Sequence, residues 1–203
     1  MAVSAVVLAA GLSSRFVDAG LHKLIALVNG TPLVRLSVSA ALDARIGDVV
    51  VVTGAGAAAV EQALTGLDVR LVHEPAFAEG MAMSLRRGIG ALAAETEAVV
   101  VALGDQPFVR PEAYQRVVQT WRDTAASIVV PRYAGHPGPA HPVLLSAAVF
   151  DELLALRGDA GARQVIARDP GRVAVATLEW DAPIDVDTRA DLARLGDERR
   201  PRD

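Results

Sequence analysis

VVLAAGLSSR, residues 6–15, decides the reading of this chain. It begins as an unbroken apolar run and passes directly into glycine, serine and an arginine. A strand without polar alternation is one buried on both faces, as in a parallel sheet covered by helices. Beyond it, Gly11, Ser13 and Ser14 leave backbone N–H groups open, and Arg15 carries a charge that does not titrate. A buried strand that ends in open amides and a fixed cation suits an anion.

The same grammar continues along the chain. Apolar runs at 3–9, 49–53, 69–73 and 98–103 alternate with helix-period segments at 32–44, 57–64, 81–93 and 111–122. In the 32–44 segment Leu33, Leu36, Ala40 and Ala41 share a face, and Pro32 suits a first helical turn. Short strands at 128–131 and 142–145 flank a Gly/Pro/His loop; helices at 147–156 and 162–167, a strand at 173–178 and a helix at 188–195 follow. The expectation is one Rossmann-like α/β domain over 1–196, three-layered, with a mostly parallel central sheet and helices on both faces. Residues 197–203 read as a charged, frayed tail. In such sheets ligands bind outside the carboxyl ends of the strands, so chemistry is expected in the loops at 10–23, 54–59, 104–107 and 185–188.

Composition narrows the field. Just over half of the 203 residues are hydrophobic, enough for one large core. The net charge of −4 argues against a nucleic-acid polymer as the main partner. With no cysteine there is neither a disulfide nor a thiolate metal site, and a cytoplasmic setting is expected. No apolar stretch is long enough to span a membrane, and residues 3–8 read as a strand rather than a leader.

Two glycine-bearing loops compete. VVVVTGAGAAAV places Gly54, Gly56 and Ala59 in a G-x-G-x-x-A pattern after a strand, with Glu74 ending the next strand. That pattern fits an NAD(P)H-dependent oxidoreductase, although small residues also serve as turn and packing positions. The first loop carries charge: amides over 10–14 can wrap phosphates, and Arg15 and Lys23 can neutralise a triphosphate. Two acidic turns lie at other strand ends. VVVALGDQPFV presents Asp105, and PIDVDTRADL presents Asp185 and Asp187, where Thr188 and Asp191 also resemble a capping box. Carboxylates on the rim suit Mg²⁺, a hard cation, and the set of amides, cations and carboxylates suits nucleotide phosphates bridged by it.

With these residues assembled, the chain resembles the nucleotidyltransferases of the molybdenum cofactor type, and more narrowly the molybdenum cofactor cytidylyltransferases. LAAGLSSR (8–15) is similar to the family's nucleotide loop, EPAFAEGMAMSL (74–85) to the segment that closes on base and sugar, and GDQP (104–107) to its metal turn. GDAGARQVI (158–166) and DVDT (185–188) resemble its later motifs. The resemblance implies transfer of CMP from CTP to the terminal phosphate of a molybdopterin-type cofactor, with release of pyrophosphate and an apo-molybdenum hydroxylase as recipient. It implies nucleotide contacts at Leu8, Ala9, Ala10, Gly11, Ser13, Ser14, Arg15, Lys23, Gly80, Ser84 and Gly104. Arg15, Lys23 and Asp105 would be catalytic, Asp105 and Asp187 would hold Mg²⁺, and His141, Asp159 and Arg163 would meet the acceptor. The chain departs from the family in the long FVDAGLH spacer before Lys23 and in Ala140-His141-Pro142 where Gly-His-Pro is usual; Gly135-His136-Pro137 lies earlier, so either histidine could face the acceptor. A non-catalytic carrier of the cofactor is the third function class.

Overall fold

The computed structural model describes residues 1–12, 22–136, 138, 140–184, 186, 188 and 191–192. Ser13, Ser14, Arg15, Pro137, Asp185 and Asp187 of the sequence reading, much of the expected last helix and the 197–203 tail lie outside the described residues.

The element order is β1 (Ala2–Ala9), β2 (Leu27–Val28), β3 (Thr31–Pro32), α1 (Leu33–Asp43), β4 (Val49–Thr53), α2 (Ala57–Ala63), β5 (Arg70–His73), α3 (Met81–Ile89), β6 (Thr96–Leu103), α4 (Pro111–Thr124), β7 (Ile128–Ala134), β8 (Val143–Ser146), α5 (Phe150–Leu154), α6 (Ala162–Arg168) and β9 (Val173–Asp181). The central sheet has seven strands in the order β5-β4-β1-β6-β8-β7-β9. β8 runs antiparallel to both β6 and β7, and the other pairings are parallel. The expected fold class, a single α/β domain with a mostly parallel sheet between helical layers, is the one observed.

The period of two in β1 makes the three layers. Val3, Ala5, Val7 and Ala9 belong to the core shared with α1, α2 and α4, whereas Val6 and Ala10 belong to the core under α3, α5 and α6. Both sets are buried, which is why the run shows no polar alternation. α3 lies unusually close to this strand: a Cβ on Gly88 would come within 2.5 Å of Val6 Cγ1.

Two local expectations change, and one element is new. Pro32 stands just before α1 in extended geometry (φ −56°, ψ 137°) rather than in its first turn. The helix expected over 81–93 stops at Ile89, with Gly90 as its C-cap. The β2–β3 hairpin was not foreseen; its turn is Asn29-Gly30, both with positive φ (51° and 80°), the backbone that a two-residue hairpin loop of matching twist requires. The hairpin reverses the chain behind the Lys23–Ile25 turn and delivers it to α1.

Away from the rim, Glu152 on α5 accepts from Arg168 Nη1 (3.2 Å) and Arg172 Nη2 (2.9 Å), tying α5 and α6 to the turn that enters β9. The hydrogen bond from Arg172 is the main reason the Glu152 carboxyl is held down to about 2. A carboxyl depressed in the folded state stabilises it above the ordinary carboxylate range, and that contribution fades as pH falls toward the folded value. Glu152→Gln is therefore expected to melt below the wild-type chain near neutrality, by a small margin because the pair is solvent-screened. The gap should close between about pH 4.3 and about pH 2, checked by parallel thermal melts. A gap that persists at the acid end would show that the carboxylate charge is not its source.

Candidate active site

The order of the sheet creates the site. From β1 the chain moves to β4 and β5 on one side and then crosses to β6 on the other, so the carboxyl ends of β1 and β6 border a switch point, where a crevice opens. A cleft of about 320 Å³ lies there. Leu8, Ala10, Gly11 and Leu12 line it from β1 and the loop after it, and Leu103 and Asp105 from β6 and its turn. Met81 and Ser84 line it from α3, with Phe77, Ala78 and Gly80 just before, Lys23 and Leu24 from the crossing turn, and Asp159 from the segment before α6.

Its ionic centre is a pair 82 residues apart in sequence. Lys23 Nζ lies 2.8 Å from Asp105 Oδ2, and the two side chains are 11% and 28% exposed. Partial burial makes this contact stronger than a surface ion pair. Asp105 sits in a turn tied at each end: the Gly104 N–H donates to the Leu8 carbonyl (2.9 Å) and the Gln106 N–H to that of Leu103 (3.4 Å). Ser37, a polar residue on the buried face of α1, donates to the Gly104 carbonyl (3.0 Å). Sequence reasoning missed Ser37; its signal is one hydroxyl inside the apolar stripe of Leu33, Val34, Val38 and Ala41. Val186, from the sequence of the second acidic turn, meets the first. The N–H of buried Val186 donates to the Asp105 carbonyl (3.4 Å). The expected cap exists as well: the Thr188 N–H donates to Asp191 Oδ2 (2.8 Å), and the Asp191 N–H to Thr188 Oγ1 (3.2 Å).

His22, beside Lys23, was not singled out. Its Nε2 donates to the Gly11 carbonyl (3.2 Å), joining the residue before Lys23 to the loop after β1. Burial, aided by the Lys23 charge and opposed by the bond to Gly11, lowers the His22 pKa below its ordinary value. The ring stands where a Cβ on Gly56 would come, 3.0 Å from His22 Cδ2.

Several expected site residues stand elsewhere. The Ala9 methyl points into the α1 side of the core, and a Cβ on Gly104 would come within 3.2 Å of it; neither residue lines the cleft. Arg163 is exposed on α6 and His141 is half-buried, and neither lines the cleft. His141 does lie on the correct rim, because β8 is antiparallel and begins at Val143 opposite Val101, near the end of β6. Tyr133, whose phenol burial pushes up, donates to the His141 carbonyl (2.7 Å). His136 is exposed beyond the end of β7.

The second glycine loop has steric reasons for its composition. A Cβ on Gly54 would come within 2.7 Å of Ala10 Cβ and 2.8 Å of Phe77 Cβ. Gly56 adopts left-handed geometry (φ 63°) where α2 begins. Buried Glu74 accepts the Ala76 N–H (2.8 Å) and so braces the turn into Phe77. The G-x-G-x-x-A pattern here braces the floor of the cleft, and the dinucleotide reading loses its basis.

For a metal ion the donors are hard oxygens. Among the described residues no cluster of three or more His, Asp or Glu side chains is placed to hold an ion. Mg²⁺ is commonly bound by one or two carboxylates together with substrate phosphate oxygens. Asp105 on the cleft wall, with Val186 bonded to its carbonyl, fits that mode of binding.

The comparisons with known proteins agree with this geometry. Residues 5–173 match the family model described as MobA-like NTP transferase domain. Rv0371c from Mycobacterium tuberculosis H37Rv is 31% identical, superposes with a TM-score of 0.84, and covers 97% of this chain and 98% of its own. A further crystal structure of Rv0371c is a complex with manganese (TM-score 0.81, 29% identity, 96% of this chain and 98% of that one). A nucleotidyl transferase from Methanothermobacter thermautotroptrophicus is 27% identical with a TM-score of 0.81, covering 97% of this chain and 96% of that one. Among curated relatives, the bifunctional protein GlmU of Cereibacter sphaeroides is 34% identical over 67% of this chain; the match spans only 30% of that longer protein.

Proposed function

Because the chain belongs to the MobA-like NTP transferase family, we propose that it transfers CMP from CTP to the terminal phosphate of a molybdopterin-type cofactor, with release of pyrophosphate, in the cytoplasm. A molybdenum hydroxylase lacking its cofactor would receive the product. The observation that carries the reading is the convergence of Leu8, Ala10, Gly11, Lys23 and Asp105 on one cleft at the switch point. The choice of cytidine and of the pterin acceptor rests on the LAAG and later motifs of the sequence.

The chemistry suits these residues. The acceptor is a phosphate monoester, whose second pKa is about 6, so its oxygen is already largely ionised at neutrality and needs no general base. That oxygen attacks the α-phosphorus of CTP; a new P–O bond forms, the bond to the β-phosphate breaks, and pyrophosphate leaves with its electron pair. The obstacle is the approach of two anions. A divalent cation, as in the manganese complex of Rv0371c, would neutralise the α-phosphate. Asp105, with Asp187 from the second acidic turn, would hold that ion. Lys23 neutralises phosphate charge on the near wall of the cleft, and Arg15 does so from the loop. Gly11 offers an N–H where no side chain intervenes, and Ser84 and Gly80 border the space for base and sugar. Asp159, also on the wall, would meet the acceptor, as would Arg163 from the exposed face of α6. Rate enhancement then comes from positioning and electrostatics.

The test is a pyrophosphate-release screen of nucleotides against molybdopterin acceptors. CTP should turn over in preference to GTP. Ala10 lines the cleft, so Ala10→Gly should shift the CTP:GTP ratio toward GTP, by about tenfold if the loop reads base size there. GTP turnover equal to that of CTP in the wild-type chain would reject the cytidylyl assignment.

A further inference from the structure

Lys23 and Asp105 form a contact that the transfer reaction must break. The ammonium lies 2.8 Å from Asp105 Oδ2, on the carboxylate that the proposed reaction requires for a divalent ion. Both side chains line the cleft, and neither is freely hydrated. An ammonium in hydrogen-bond contact and a dication in inner-sphere contact cannot share one carboxylate oxygen at full strength, because the two cations repel at short range. Lys23 is the member with the longer reach. Its charge rides on a flexible four-carbon stem, whereas Asp105 stands in a turn hydrogen-bonded on both sides. A triphosphate entering the cleft carries several negative charges against the single charge of Asp105, so it draws the ammonium toward itself.

We propose that Lys23 gates the metal site: it holds Asp105 in an ion pair that disfavours the divalent cation, and nucleotide phosphate recruits Lys23 and so releases Asp105 to the metal. This rests on the assignment of Asp105 as a metal ligand under the proposed function, and not on which nucleotide is used. The consequence is an order of events. Without nucleotide the site takes up metal weakly; with nucleotide, the metal arrives where phosphate oxygens already wait. The device prevents an ion from settling on Asp105 in a geometry set by the protein alone.

The experiment measures Mn²⁺ binding to the nucleotide-free full chain by electron paramagnetic resonance, with calorimetry as a second readout. Wild type, Lys23→Met, Lys23→Gln, Lys23→Arg and Asp105→Asn are compared. Removing the charge should tighten Mn²⁺ binding about tenfold or more in Lys23→Met and Lys23→Gln, while Lys23→Arg, which keeps the ion pair, should bind as weakly as wild type. The glutamine variant retains a polar head, so it serves if the methionine variant fails to fold. Asp105→Asn sets the background of adventitious carboxylate binding. Unchanged or weaker Mn²⁺ binding in both neutral variants would overturn the gate. If Asp105→Asn binds Mn²⁺ as the neutral Lys23 variants do, the metal assignment itself fails, a result distinct from failure of the gate. Neither result depends on whether CTP is the substrate, which the turnover screen decides.

Discussion

Asp105→Asn should reduce nucleotidyl transfer by about two to three orders of magnitude, the loss typical of removing one preorganised charge contact from a transition state. The backbone around it explains why the effect should be catalytic. The turn is held by main-chain bonds from Gly104 to Leu8, from Gln106 to Leu103 and from Val186 to the Asp105 carbonyl, none of which uses the carboxylate. Asn is also a favoured turn residue. The sequence alone would put the stability cost near zero; the structure raises it, because buried Lys23 loses its charged partner. The asparagine oxygen can still accept from Lys23, so the cost should stay near 1 kcal/mol, about 2–4 °C in melting temperature for a chain of this size. Turnover against metal concentration, with a thermal melt of each variant, separates the two effects. Near-wild-type rates at limiting metal would remove Asp105 from the metal site. A large fall in melting temperature with proportionate activity loss would make it a structural aspartate.

The legibility of this protein follows the range of each interaction. β1 could be read because burial on both faces leaves an unbroken apolar run, and the division of Val3, Ala5, Val7 and Ala9 from Val6 and Ala10 is the period of two made visible. The Thr188–Asp191 cap spans three residues and was equally plain. The β2–β3 hairpin was legible in Asn29-Gly30, a strong short-range hairpin signal, yet so few paired residues leave no strand pattern to draw attention. The Lys23–Asp105 pair was not legible: both residues were chosen for separate tasks, and only the sheet order brings them to 2.8 Å. Gly54 misled for the complementary reason. Its neighbours Ala10 and Phe77 come from distant segments, so a packing constraint looked like a phosphate loop. The orientation of Ala9 away from the cleft follows from strand alternation, but which parity faces the ligand depends on the layer in which α3 lies.

Gly80→Ala should be the most damaging single methyl addition at the cleft. Gly80 has φ +115°, outside the range that L side chains adopt readily, and a Cβ there would stand 2.3 Å from the Gly158 carbonyl carbon and oxygen and 2.7 Å from the Asp159 nitrogen. These are backbone atoms, which cannot swing aside as a side chain would. The two segments are also fastened together: the Ala82 N–H donates to the Gly158 carbonyl (3.0 Å), and Met81 Sδ fills the space beside Gly161, 2.8 Å from where its Cβ would be. Backbone strain of about 1–3 kcal/mol adds to the cost of separating these segments. A loss above about 2 kcal/mol is expected, or 4 °C and more in melting temperature. Because Gly80 and Asp159 both line the cleft, the displacement should also raise KM for nucleotide and acceptor together. Gly11→Ala supplies the contrast. A Cβ at Gly11 meets nothing within 4 Å, so its melting temperature should match wild type. Any activity lost in Gly11→Ala must then come from the ligand's close approach to the backbone. Differential scanning calorimetry of the two variants, paired with nucleotide titrations, reads both quantities. A wild-type melt for Gly80→Ala would mean that residues 80 and 158 are not in contact, and the wall joining α3 to the acceptor side of the cleft would have to be redrawn.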